Sequence, residues 1–350
     1  TYDSVILHVV SEADTEITRS NGEQIPQLLL TCPENVQLHY HELCVADQYP
    51  ACYPILASLP KLTIHSWLTA LQTERLEQKA QLITQRLKHC NSNWEDAFFI
   101  TLARNFGFGL NGDAFETWAG LLPFRAMDKH RNDLFQIEAF FYGLAGLLEE
   151  TFLKKEQEDE YSLRLCKEFR YLQRKFEIGQ GMDATLWRFL RLRPENFPHI
   201  RLAQLAYLYQ KGDKLFSRLL EAETLADVRT LLDARTSPYW ENHYLFVRLS
   251  SQKEKVMGER SKDLIIINTV VPFLYTYGLH KADERMCERA GRFLEELKAE
   301  SNHIIRSWSD AGLPVVSAAD SQALIQLQKE YCDKRKCLYC RFGYEYLKHT

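Results

Sequence analysis

Between residues 66 and 90 the chain reads SWLTALQTERLEQKAQLITQRLKHC, with Trp67, Leu68, Leu71, Leu76, Leu82, Ile83 and Leu87 near helical spacing and charges on the other face. An apolar repeat of about 3.6 residues sustained over that length belongs to a helix, because side chains on a strand alternate every second residue. The same period returns down the chain. NWEDAFFITLARNFG, residues 93 to 107, opens on an Asn/Asp-type cap and closes on Gly107, a helix stop. GDAFETWAGLLP stops at Pro123, and NDLFQIEAFFYGLAGLLEETFL carries Gly143 and Gly146 on an apolar face, where another helix could approach closely. Helical periodicity continues at residues 160 to 176, in HIRLAQLAYLYQ and in KADERMCERAGRFLEELKAESNHIIRSW. DLIIINTVVPFLYTYG has the β-branched content of a strand, but its length and its place between helices favour a buried helix kinked at Pro272. No period of 20 to 50 residues repeats, which argues against a solenoid.

Strand character is confined to the start. YDSVILHVV is apolar on alternate and intervening positions alike, the composition of a strand covered on both faces. One hairpin is visible beside it, TEITRS, the Asn21-Gly22 turn and QIPQLLL. A central strand with so few neighbours implies that sheet strands normally precede Thr1. His8, the polar residue in that strand, is expected to be a hydrogen-bonded core histidine in preference to a catalytic group. The expected fold is mostly α, in the α+β class: a helical bundle-like body with a small N-terminal β remnant of a mixed sheet. The expected division is residues 1–55, 56–160 and 161–350, with the acidic run EETFLKKEQEDEY as the joint between the helical parts.

A net charge of -4 gives no global attraction to nucleic acid or membrane, so such contacts need a local patch. No apolar stretch reaches the ~18 residues of a membrane span. The nine cysteines form no regular framework and no leader segment is visible, which favours a reducing cytoplasm. Cys32, Cys44, Cys52, Cys90, Cys166 and Cys287 are scattered, most simply as small buried apolar groups.

The exception is Cys332, Cys337 and Cys340, spaced C-x4-C-x2-C in EYCDKRKCLYCRFGYEYL. Thiolates bind zinc or iron–sulfur clusters in fours, and C-x2-C is the usual half of such a site. Zinc stands somewhat ahead of iron–sulfur. The fourth ligand is expected to be Cys287, then His303 or His349. The alternative is that these thiols are reduced core residues of a terminal helix.

Residues 162 to 201 carry Arg164, Lys167, Arg170, Arg174, Lys175, Arg188, Arg191, Arg193 and Arg201 against Glu168, Glu177, Asp183 and Glu195. With Trp187, Phe189 and Phe197 interleaved, that composition suits phosphate pairing beside base stacking on DNA or RNA. The competing account makes the aromatics core and the arginines solvated or paired. Gly107, Gly109 and Gly112 in ARNFGFGLNG lack the spacing and the Lys-Ser/Thr ending of a phosphate loop and read as a helix stop and turn. Glu241 and His243 in YWENHYLF make no diagnostic pair.

Six blocks in order, LARNFGFGLNGDAFETWAGLLP, KHRNDLFQIEAFFYGLAGLL, RLRPENFPHIRLAQLA, YWENHYLF, IIINTVVPFLYTYG and SQALIQLQKEYCDKRKCLYC, together resemble the bacterial family Domain of Unknown Function 2851, from Tyr2 to the last cysteine. The family name implies no activity. Members resembling this chain extend further at the N-terminus, where an Asp and a Glu-x-His on adjacent strands look similar to the carboxylates of PD-(D/E)xK nucleases, which hold a divalent metal. Through that resemblance the leading expectation is a nucleic-acid-processing protein whose catalytic core lies outside this chain. A non-enzymatic helical interaction module with a structural metal is the competing class.

Overall fold

The computed structural model describes residues 2–47, 50–149, 159–212 and 214–348. It is mostly helical, with four short strands in two separate pairs among the described residues. Two compact units divide the chain, one of Thr1–Gln72, Ser301–Val316 and Asp320–Thr350, the other of Thr73–Glu300 and Ser317–Ala319. The units meet in sequence after Gln72, Glu300, Val316 and Ala319. The acidic run expected as a joint lies mostly outside the described residues.

In the first unit, His8–Val10 pairs in parallel with Gln27–Leu29, His8 opposite Gln27 and Val10 opposite Leu29. The Asn21-Gly22 turn forms, with Gly22 N–H donating to Arg19 O at 3.0 Å and a bridge between Thr18 and Gln24. Only that end of the expected hairpin is kept: beyond Pro26 the chain leaves the antiparallel path and joins the first strand instead. His8 is half-buried, its Nδ1 3.5 Å from Gln27 Nε2. Among the described residues the strand pair has no further neighbour. Ile6, Leu7, Val9 and Leu28 to Leu30 are consequently exposed rather than covered on both faces. Neither strand contains an Asp or Glu. The core of this unit gathers Leu43, Leu56, Leu68, Leu71, Trp308, Leu324, Leu327 and Phe342.

The second unit is built on aromatic residues. Trp118, Phe98, Phe106, Phe115, Phe140, Phe141 and Phe273 are fully buried, and the Trp118 indole N–H donates to Phe141 O at 3.0 Å, so the large ring buries no unpaired donor. The helix Trp94–Phe106 starts where expected: the Asn93 side chain accepts from Glu95 N and Asp96 N, and Gly107 ends it. ARNFGFGLNG is the turn from that helix into Gly112–Gly120. Helix Leu134–Leu144 packs against Glu160–Lys175, and Gly143 permits it: a β-carbon there would lie 2.3 Å from the Phe169 ring. DLIIINTVVPFLYTYG is helical, as Glu259–Ile265, a π turn at Ile266–Val270, and Val271–Lys281. Pro272 has no N–H to give back to the preceding turn, and the wider π turn just before it absorbs that mismatch.

Candidate metal centre

The three C-terminal cysteines lie on three consecutive local structures. Cys332 closes a π turn, Leu327–Cys332, that prolongs the helix Ala318–Gln326. Gln328 O accepts from Asp333 N, and Tyr331 O from Lys336 N, each at 2.8 Å across five residues. Such widened turns occur frequently at functional sites. Cys337 opens the 3-10 turn Cys337–Tyr339, and Cys340 directly precedes the helix Arg341–Lys348. Gly343 lets that helix press on the turn, because a β-carbon at 343 would stand 2.2 Å from Cys337 O.

A fourth cysteine comes from far along the chain. Cys52, immediately before the short helix Tyr53–Leu56, is buried and lines the same cavity as Cys332, Cys337 and Cys340. That cavity of ≈ 30 Å³ is also walled by Leu43, Ala51, Trp308, Tyr331, Arg335 and Gly343.

The thiols sense one another. Cys52 is pushed up by burial and then by Cys340 and Cys337. Cys332 is pushed up by burial, then by Cys340, Cys52 and Cys337. Burial also raises Cys340, opposed by the backbone N–H groups of Gly343 and Phe342 at the start of the last helix. Burial and Cys44 raise Cys337, and Arg335 opposes them. Two of these thiols, Cys52 and Cys340, are buried and two, Cys332 and Cys337, half-buried, so ionising them together sets like charges side by side unless a cation joins them.

One indole lies in the wall and a second packs against wall residue Tyr331. Trp308 is fully buried, lines the cavity, and its Nε1–H has no hydrogen-bond partner among the described residues. Trp67 packs edge-on to Tyr331 with ring centroids 5.5 Å apart, and its side chain favours the Cys340 thiolate. Of the basic residues beside the cysteines, Arg335 lines the cavity, whereas Lys334 pairs with Glu330 at 2.5 Å and Arg341 with Glu345 at 3.7 Å.

Cys287 is not part of this set. It lies in the other unit, on the helix Glu284–Glu296, where its thiol faces Tyr275 O at 3.7 Å and fills the space left by Gly278. His303 is exposed at the start of His303–Asp310 and does not line the cavity. His349 lies outside the described residues. Nothing in the sequence around Cys52 (YPACYPI) marks it as a ligand, so spacing alone could not find it. Cys44 stays outside the cavity lining, its carbonyl accepting from Arg335 Nη1. None of the nine cysteines is paired in a disulfide. Among the described residues no three His, Cys, Asp or Glu side chains are set to hold a single metal ion.

The basic segment divides. Arg174, Lys175, Arg188, Arg191 and Arg193 are exposed. Arg201 is not: it is buried, donates to Gln204 and Asn196, and stacks its guanidinium 4.4 Å from the Phe108 ring centre. Its helix, Pro198–Lys211, is apolar on nearly every face, and that pattern in the sequence could have told that Arg201 has no solvent side. Trp187 is core, donating to Ala145 O at 2.9 Å, and Phe189 packs on Phe197 at 5.5 Å. These rings are engaged with the protein and are not offered to bases.

A family model described as Protein of unknown function (DUF2851) matches residues 1–303. The chain belongs to this family. DUF2851 similarity thus covers Cys44 and Cys52 but stops short of the block holding Cys332, Cys337 and Cys340. No curated protein and no solved structure matches the chain. No described helix is long and apolar enough to cross a membrane.

Proposed function

We propose that this DUF2851 chain is the helical, nucleic-acid-binding part of a nucleic-acid-processing protein, and that it grips the phosphate backbone rather than the bases. The observation that carries the reading is a loop anchored at its start that exposes three arginines. Arg188, Arg191 and Arg193 are exposed and make no side-chain ion pair among the described residues. Glu195, the nearest acid in sequence, is held by Lys253 at 2.5 Å. The loop is anchored at its start by Trp187 and by two hydrogen bonds between the Asn111 side chain and the Arg188 backbone. Arginines pre-set on a fixed backbone lose less freedom when they pair with phosphate. Arg174 and Lys175, in the last turn of Glu160–Lys175, add further positive charge. The rings interleaved with these arginines, Trp187, Phe189 and Phe197, are packed into the protein, so affinity is expected to be strong in its salt dependence and weak in its sequence preference. Catalysis is not assigned to this chain, since neither strand of the parallel pair bears a carboxylate to hold a divalent metal.

The test is binding of the chain to DNA and RNA duplexes across a salt series. Affinity should fall linearly on logarithmic axes, and Arg188→Ala, Arg191→Ala and Arg193→Ala should each reduce the slope by about 1. No detectable binding at low salt, or an unchanged slope in the triple variant, overturns the reading.

A second reading, an interaction module, is favoured by the exposed apolar residues Ile6, Val9, Leu28 and Leu30 on and beside the parallel strands.

A further inference from the structure

We propose that Cys52, Cys332, Cys337 and Cys340 bind an iron–sulfur cluster of the 4Fe–4S class, one thiolate to each iron. The first support is space. A zinc ion draws four sulfurs to ~2.3 Å from one point and leaves no room among them. These four thiols instead surround a cavity of ≈ 30 Å³, and a single water needs only ~10–15 Å³. An object larger than one atom that takes four thiolates matches this lining.

The second support is the unpaired donor in the wall. An N–H group buried without a partner is costly, and the Trp308 Nε1–H is such a group at this cavity. The inorganic sulfides of a cluster are acceptors and its properties depend on such hydrogen bonds. Zinc held by four thiolates brings no additional acceptor.

Charge is the third support. Each thiol binds as thiolate and releases its proton to solvent, so the metal sees four negative ligands in a mostly apolar wall. The iron–sulfide core, positive overall, offsets only part of this, and the Arg335 guanidinium and the N–H groups of Phe342 and Gly343 stand where the remainder accumulates. With every iron held by a cysteine, no iron is open to substrate. The cluster would clamp the segment around Cys52 to the last two helices of the same unit.

The 350-residue chain, purified without oxygen or chelator, is to be analysed for iron, zinc and acid-labile sulfide, and by electron paramagnetic resonance after reduction. The expected result is about four iron and about four sulfide per chain. Cys52→Ser should lose most of the iron, whereas Cys44→Ser and Cys287→Ser keep it. Should Cys52→Ser fail to fold, the stoichiometry of the unaltered chain and of the two control variants still decides. Zinc in place of iron, about two iron per chain, an apo chain that takes up neither iron nor sulfide, or undiminished iron in folded Cys52→Ser would overturn the assignment.

Discussion

Asn111 brackets the backbone of Arg188: its Nδ2 donates to Arg188 O at 2.9 Å, and its Oδ1 accepts from Arg188 N at 2.8 Å. The Asn111 side chain is buried at the turn between two helices, so the start of the arginine loop is fixed to the rigid part of its unit. Replacing it strands two backbone groups of Arg188. Asn111→Ala is expected to lower unfolding stability by about 1–3 kcal/mol in urea titration. Amide exchange at Arg188 should quicken in the same variant, and unchanged exchange there would disprove the anchoring role.

Glu138 sets a pH response. It is fully buried on the helix Leu134–Leu144, and burial pushes its carboxyl up to about 7, against hydrogen bonds from Tyr161 and Ser237. Between the ordinary value of 4.5 and about 7, the folded protein keeps a proton that the unfolded chain has lost. Stability should therefore fall as pH rises through that window and level off above it. Glu138→Gln is expected to remove the fall, gaining on the order of 3 kcal/mol over the unaltered chain above that window. Melting temperatures of both proteins across the window check this, and parallel curves would refute it.

His199 acts on the acid side. Burial alone lowers it to about 3 from 6.5. The unfolded chain then binds a proton that the folded one refuses, so stability from this group is lost as pH falls from 6.5 toward 3. The His199 ring resonances followed by NMR should show a neutral imidazole down to the onset of acid unfolding. Titration near the ordinary value in the folded state would contradict the burial.

Gly143 is a packing constraint that glycine alone satisfies. Since a β-carbon would meet the Phe169 ring at 2.3 Å, Gly143→Ala must push the helix Glu160–Lys175 outward. A loss of about 1–3 kcal/mol is expected from such overpacking. Phe169→Leu in the same chain should recover part of it, and a neutral Gly143→Ala would show that the helices do not meet there.

How much of this was legible beforehand depended on the range of the interaction. The helix over residues 94 to 106 could be read because its cap, Asn93, and its stop, Gly107, are local. The close approach at Gly143 was equally visible, since a small residue on an apolar face has one common use. The path of Gln27–Leu29 was not, because pairing in parallel with His8–Val10 is a choice of partner that local composition does not encode. Cys52 shows the same limit. C-x4-C-x2-C announced a thiol site, but its remaining member arrives through the packing of Tyr53–Leu56, with no spacing to mark it. Arg201 was misread for a related reason, while the alternative that put Trp187 in the core held: aromatics interleaved with arginines look alike whether the rings face solvent or the core, and burial is settled by neighbours distant in sequence.

The measurement closest to the central claim is anomalous diffraction from crystals of the chain grown without oxygen, recorded at the iron and zinc edges. The account predicts a strong iron-edge peak inside the cavity, between the sulfurs of Cys52, Cys332, Cys337 and Cys340, and no zinc-edge peak there. A zinc-edge peak coordinated by three or four of these thiols, or four sulfurs packed together around no metal in protein that took up no iron, would contradict it.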